Sequence, residues 1–106
     1  MTKKFRIWDH QLKLFWIGSI REIFGHLSAD ISDNQIQQYT GLTDSQGVEI
    51  YEGDFVKAGA IKGKINFYKS AYYINEQLLI DVYVLLAGNI KIIGNIFQTP
   101  ELLEKC

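Results

Sequence analysis

The sequence predicts a small, mainly β domain, and three observations carry that expectation. The aromatic residues are mostly Tyr and Phe, six of each, and with the many Ile and Val residues they favour extended structure. Glycine and Asp/Asn turn signals punctuate the apolar runs at short intervals. Lys64 to Tyr68 alternates polar and apolar residues, the period of a half-buried strand. A chain of 106 residues suffices for one domain around one core.

Taken in order, Phe5 to Trp8 reads as a strand, Asp9-His10-Gln11 as a turn, and Leu14 to Ile17 as the returning strand of a hairpin with two tryptophans. Ile20, Ile23, Phe24 and Leu27 recur at helical spacing while their β-branched content pulls the other way, so a short helix or an irregular strand is expected there. Ser28 to Asn34 is a loop by composition, and Gln35 to Tyr39 a short strand. The block Gln38 to Val56 then packs three glycines, Gly41, Gly47 and Gly53, among acidic turn residues. Thr43 to Gly47 is a strong turn signal, Val48 to Tyr51 a brief extended segment, and Glu52-Gly53-Asp54 a second turn in which Asp54 accepts backbone N–H bonds.

Phe55 opens the next strand, Gly59 and Gly63 bracket a turn, and Lys69-Ser70 reverses the chain between Lys64–Tyr68 and Ala71–Asn75. Leu78 to Leu86 is nearly all apolar, which implies burial on both faces or in a subunit contact. Ala87-Gly88-Asn89 reads as a hairpin turn before a last strand, Ile90 to Phe97. Thr99 as cap, Pro100 in the first turn and Glu101 at the positive end sign a short C-terminal helix. The whole predicts a single domain over residues 1–106: an irregular N-terminal extension (1–34) and a small SH3-like β-barrel (35–106).

Composition narrows the function classes. A net charge of −1 argues against a generic nucleic-acid coat, though not against a local basic face. It also makes self-association easier. The single cysteine, Cys106, neither closes an intrachain disulfide nor builds a zinc site, and a frayed tail is its expected role. Lys3 and Lys4 precede no long apolar stretch, and Leu78 to Ala87 is too short to span a bilayer, so a cytoplasmic protein without membrane contact is expected.

Several stretches resemble a known family. Phe5-Arg6-Ile7-Trp8-Asp9 resembles the opening of the YopX-like proteins of bacteriophages and prophages. Tyr39-Thr40-Gly41-Leu42-Thr43-Asp44, Gly47, Ile50-Tyr51-Glu52-Gly53-Asp54 and Val56 are similar to that family's most characteristic block. Ile93-Gly94-Asn95-Ile96-Phe97 and Pro100-Glu101-Leu102-Leu103 are similar to its closing motif. The resemblance implies a small, mostly β phage or prophage protein in a bacterial host cell, with an SH3-like barrel and a tendency to self-associate. It brings no catalytic residues, ligand sites or established activity. Leu14 to Asn34 matches no motif of the family, and Leu78 to Leu86 is unusually apolar for it.

The residues themselves propose little chemistry. Two carboxylates on one strand face, such as Glu52 and Asp54, can split their pKa values for acid/base work or hold a cation, but Gly53 breaks their alternation and the spacing fits no calcium loop. His10 and His26 fall in or near turns without a nucleophile motif, and Ala58 to Lys64 lacks the ending of a phosphate loop. No catalytic residue, metal site or cofactor is therefore expected. Two binding modes stay open. Lys62, Lys64 and Lys69 beside Tyr68 are what a single-strand nucleic-acid binder uses, against a bland reading as a wet face. Trp8, Trp16, Tyr51 and the apolar run, with Leu79, Val82 and Val84, exceed what one small core needs and point to an interface, against a bland reading as core. The favoured expectation is a binding protein, not an enzyme: a homo-oligomer that meets another phage or host protein, in part by pairing sheet edges. Nucleic-acid binding is the alternative.

Overall fold

In a computed structural model of the chain, residues 3–24 and 36–104 are described. They are mainly β, arranged in two compact units, residues 1–39 and 40–106. The expected Ser28–Asn34 loop, His26, Leu27, Gln35 and Cys106 lie outside the described residues.

In the first unit, β1 (Phe5–Asp9) and β2 (Leu14–Gly18) form the expected hairpin, with Ile7 opposite Trp16 and Trp8 opposite Phe15. Asp9 organises the turn. One carboxylate oxygen accepts the N–H groups of Gln11 and Leu12, both at 2.9 Å, and the other accepts the Trp16 indole at 3.0 Å. The Leu12 N–H and then the Trp16 indole hold this carboxyl below its ordinary value. α1 (Ile20–Phe24) resolves the helix-or-strand ambiguity through a capping box: Ser19 Oγ accepts the Glu22 N–H, and Glu22 reaches back to the Ser19 N–H. β3 (Ile36–Thr43) begins in this unit, where Ile36, Gln37 and Gln38 pair with β1. Arg6 is buried there; its Nε donates to Gln37 at 2.7 Å and its guanidinium lies 4.2 Å from the Phe15 ring centre.

β3 is longer than the strand expected over Gln35 to Tyr39. Gly41, at φ +88°, lets extended pairing continue into the second unit, where the Thr40 hydroxyl donates to the Ile50 carbonyl of β4 (Glu49–Tyr51) at 2.7 Å. The Thr43–Gly47 turn forms as its composition demands. Asp44 accepts the N–H groups of Gln46 and Val48, both at 2.9 Å, while its second oxygen accepts the Ile92 N–H at 3.3 Å.

The rest of the second unit is an antiparallel five-stranded sheet in the order β8-β7-β6-β5-β9. The strands are β5 (Asp54–Ala58), β6 (Ile61–Tyr68), β7 (Ala71–Ile74), β8 (Gln77–Leu78) and β9 (Ile90–Asn95). The ladder is open, with β8 and β9 at its edges, so a closed barrel is not what its hydrogen bonds describe. Gly63 is no corner either: it sits inside β6, opposite Val56, where a Cβ would overlap the Asn75 carboxamide.

The largest departure is Leu78 to Leu86. It is a helix, α2 (Leu79–Leu85), and not a strand buried on both faces. A short apolar run carries no length signal to separate the two states, and tertiary packing overrides the β preference of its Ile and Val residues. Leu79 and Val82 turn inward one helical turn apart, with Tyr83 and Leu86 packed against the same core. Ala87 and Gly88, both at positive φ, end this helix and do not close a hairpin; the Gly88 N–H donates to the Tyr83 carbonyl at 2.8 Å.

The core of this unit joins Leu79 and Val82 to Ile50, Val56, Ala58, Ile65, Ile74 and Ile90. The short helix expected after Thr99 is present as a 3-10 helix, Pro100–Glu104. Thr99 does not cap it through its side chain. Its hydroxyl instead accepts the Asn95 N–H at 2.9 Å and donates to the Asn95 carbonyl at 3.0 Å.

Asp44 gives the fold an acid-sensitive joint. Burial pushes its carboxyl up, but the N–H groups of Val48, Gln46 and Ile92, with the charge of Lys91, outweigh burial and hold it below its ordinary value. A depressed folded value means that this stabilisation is complete above the unfolded value of about 4 and is lost as pH falls through the folded one. Melting curves collected from about pH 7 to about pH 2 should therefore show a shallower acid limb for Asp44→Asn than for the parent.

Candidate binding surfaces

The acidic groups of the central block are committed to structure. Asp54, only 1% exposed, accepts the Tyr51 N–H at 2.8 Å. Glu49 accepts the Tyr51 hydroxyl at 3.1 Å. Gly47 and Gly53 sit at positive φ in the turns where the sequence puts them. Burial, with Glu52 nearby, pushes the Tyr72 phenol up to about 12, so it stays neutral at physiological pH. His10 is exposed, and its Nδ1 accepts the Trp8 indole at 3.1 Å. Among the described residues, no three His, Cys, Asp or Glu side chains converge as metal ligands, and no helix is long and apolar enough to cross a membrane.

The residues expected at an interface divide. Trp8, Tyr51, Leu79 and Val82 are buried within the chain, so their apolar surface goes into internal packing. Trp16 is half-buried. Val84 is open, 70% exposed, and α2 sets beside it two residues that sequence reasoning did not single out, Ile80 (47%) and Leu85 (82%). Clefts flank this helix on both sides. One, of about 220 Å³, lies between Leu42, Tyr72, Leu79 and Ile80. The other, of about 300 Å³, lies between Gln77, Leu78, Asp81 and Leu85. Helical spacing would have revealed this face, had the segment been recognised as a helix.

The lysines and Tyr68 share a second surface. Residues directly opposite on antiparallel strands point to the same face. Lys57 lies opposite Lys62 on one side and Lys91 on the other, so three lysines from β9, β5 and β6 form one row. Lys64, Asn66 and Tyr68 follow on the same face of β6, with Tyr73 of β7 opposite Asn66. Tyr68 is 60% exposed, and the Lys69 Nζ lies 5.4 Å from its ring centre. Asn66, Tyr68, Tyr73, Asn75 and Glu76 line a hollow of about 330 Å³. Lys91 escaped sequence reasoning because only the register brings it beside Lys57.

Comparison with known proteins follows from this geometry. The family described as YopX protein matches residues 16–104 of the chain. The chain is also similar to the crystal structure of protein EF1440 from Enterococcus faecalis, with a TM-score of 0.62 and 23% identity, over 97% of this chain and 99% of that one. At that identity the likeness shows the fold alone. No curated protein matches.

Proposed function

This chain belongs to the YopX family of phage and prophage proteins, and we propose that it is an accessory protein that works by binding: a homo-oligomeric protein-interaction module, in the cytoplasm of the bacterial host, with no catalytic step. One observation carries the reading. α2 presents Ile80, Val84 and Leu85 to solvent around the exposed Asp81, between two clefts that border the helix. Isolated apolar residues are ordinary on a surface, but grouped ones mark contact sites. The net charge of −1 puts little electrostatic repulsion in the way of a second copy. On this reading the scaffold is an SH3-like relative. The β5-to-β8 meander, with β9 returning to pair with β5, supports that relation.

Light scattering in line with size exclusion tests it. The parent should elute as an oligomer whose size is insensitive to moderate salt. Val84→Glu and Leu85→Glu should each weaken assembly by roughly 30-fold or more, as expected for an apolar anchor. Both positions are solvent-exposed in the isolated chain, so monomer stability should stay within about 0.5 kcal/mol. A parent that remains monomeric at the highest soluble concentration would refute self-association through α2.

A further inference from the structure

Independently of α2, we infer that the exposed strip along β6 on the lysine-bearing side of the five-stranded sheet, past the buried Phe55 opposite Lys64, is a binding site for single-stranded nucleic acid, with phosphates on the Lys91–Lys57–Lys62 row and a base in the Tyr68–Tyr73 hollow. Three like charges placed directly opposite one another across adjacent strands work against the fold. With strands about 4.8 Å apart, the row sets the backbones of three lysines within about 10 Å of one another. Among the described residues, no ion pair engages Lys57, Lys62 or Lys64. Asp44, whose oxygens accept backbone N–H groups, offsets part of the Lys91 charge and leaves Lys57 and Lys62 as the core of the row. A polyanion is the occupant whose charge complements this arrangement.

The hollow selects among polyanions. Tyr68 offers an exposed ring on the lysine-bearing face, and the Asn66 and Asn75 carboxamides beside it carry both donors and acceptors. Glu76, on the same rim, opposes a phosphate there but can accept a hydrogen bond from a base N–H, such as the N3–H of thymine. The site therefore changes character along β6, from phosphate-binding at Lys62 and Lys64 to base-binding at Asn66 and Tyr68. A single strand supplies both, because its bases are free to turn onto an aromatic platform; a duplex keeps them stacked and paired. An anionic membrane supplies charge but nothing for the hollow.

Fluorescence anisotropy with a labelled oligothymidine, its duplex with oligoadenine, and phosphatidylserine vesicles as competitor tests the inference on the full chain. The single strand should bind more tightly than the duplex, and vesicles should not displace it. Affinity should fall steeply with salt. In the triple variant Lys57→Gln/Lys62→Gln/Lys91→Gln, affinity should drop at least tenfold and the slope of log K against log salt should flatten by about 2, at about 0.7 per phosphate contact. Tyr68→Ala should weaken binding several-fold with the salt slope unchanged. Circular dichroism melts guard the comparison: relieved of mutual repulsion, the triple variant should melt no lower than the parent. Absence of binding at low salt, equal binding of the duplex, displacement by vesicles, or a folded triple variant that binds like the parent would each overturn the assignment.

Discussion

Asp54→Ala is expected to destabilise the chain by about 3 kcal/mol, a large fraction of a typical domain's stability. The carboxylate is sealed from water and accepts the N–H of Tyr51, itself buried, across the tight Glu52-Gly53 corner. Alanine removes the acceptor and leaves no access for water to replace it. Hydrogen bonds to charged groups contribute roughly 1.5–3 kcal/mol, and a stranded buried donor costs about as much. Asp54→Asn keeps an acceptor in place and should lose about half as much. Urea unfolding followed by tryptophan fluorescence reads both, with the midpoint shifted and the slope unchanged. If Asp54→Ala unfolds within about 0.5 kcal/mol of the parent, the corner is held by something other than this carboxylate.

The second large effect is expected at Gly94. A Cβ there would overlap the Thr99 hydroxyl and lie 2.8 Å from Leu102 Cδ1. Leu102 can turn its methyl aside, but Thr99 does not yield easily. The hydroxyl is pinned by its two bonds to the Asn95 backbone, and the Thr99 N–H donates to the Asn95 carbonyl at 2.9 Å. Gly94→Ala should therefore cost about 2–3 kcal/mol, the usual range for overfilling a packed site. It should also expose Ile96 to Leu102 to limited proteolysis before the rest of the chain. A double-mutant cycle isolates the clash: Thr99→Ala alone removes the hydroxyl's bonds, but combined with Gly94→Ala it should cost less than the sum of the two. Strict additivity would place the strain elsewhere.

Both positions show which parts of the chain were legible in advance. Asp54, and Asp44 in its bonds to Gln46 and Val48, act within a few residues along the chain, so turn chemistry located them, while the reach of Asp44 to Ile92 was not readable. The Trp8/Trp16 hairpin and the half-buried alternation of β6 were readable for the same reason. α2 was not, since six apolar residues around one Asp satisfy a strand and a helix equally until the inward spacing of Leu79 and Val82 is seen. Gly63 and Gly94 looked like corner or motif glycines because the side chains that crowd them, Asn75 and Thr99, belong to other turns of the chain. The basic face was half legible. Lys62, Lys64, Lys69 and Tyr68 are close in sequence, whereas the contribution of Lys91 depends on pairing between residues 34 positions from Lys57.

The sheet edges limit the kind of assembly open to this protein. β8 is two residues long and passes directly into α2, so it gives an incoming strand almost no backbone to copy. At the other edge, the Ile90 carbonyl already takes the Ser45 N–H at 2.8 Å, and the Ile92 N–H is turned to Asp44. Within this five-stranded sheet, one margin is too short and the other already partly engaged to serve an incoming strand well. A second copy approaching this sheet would meet side chains more readily than free backbone.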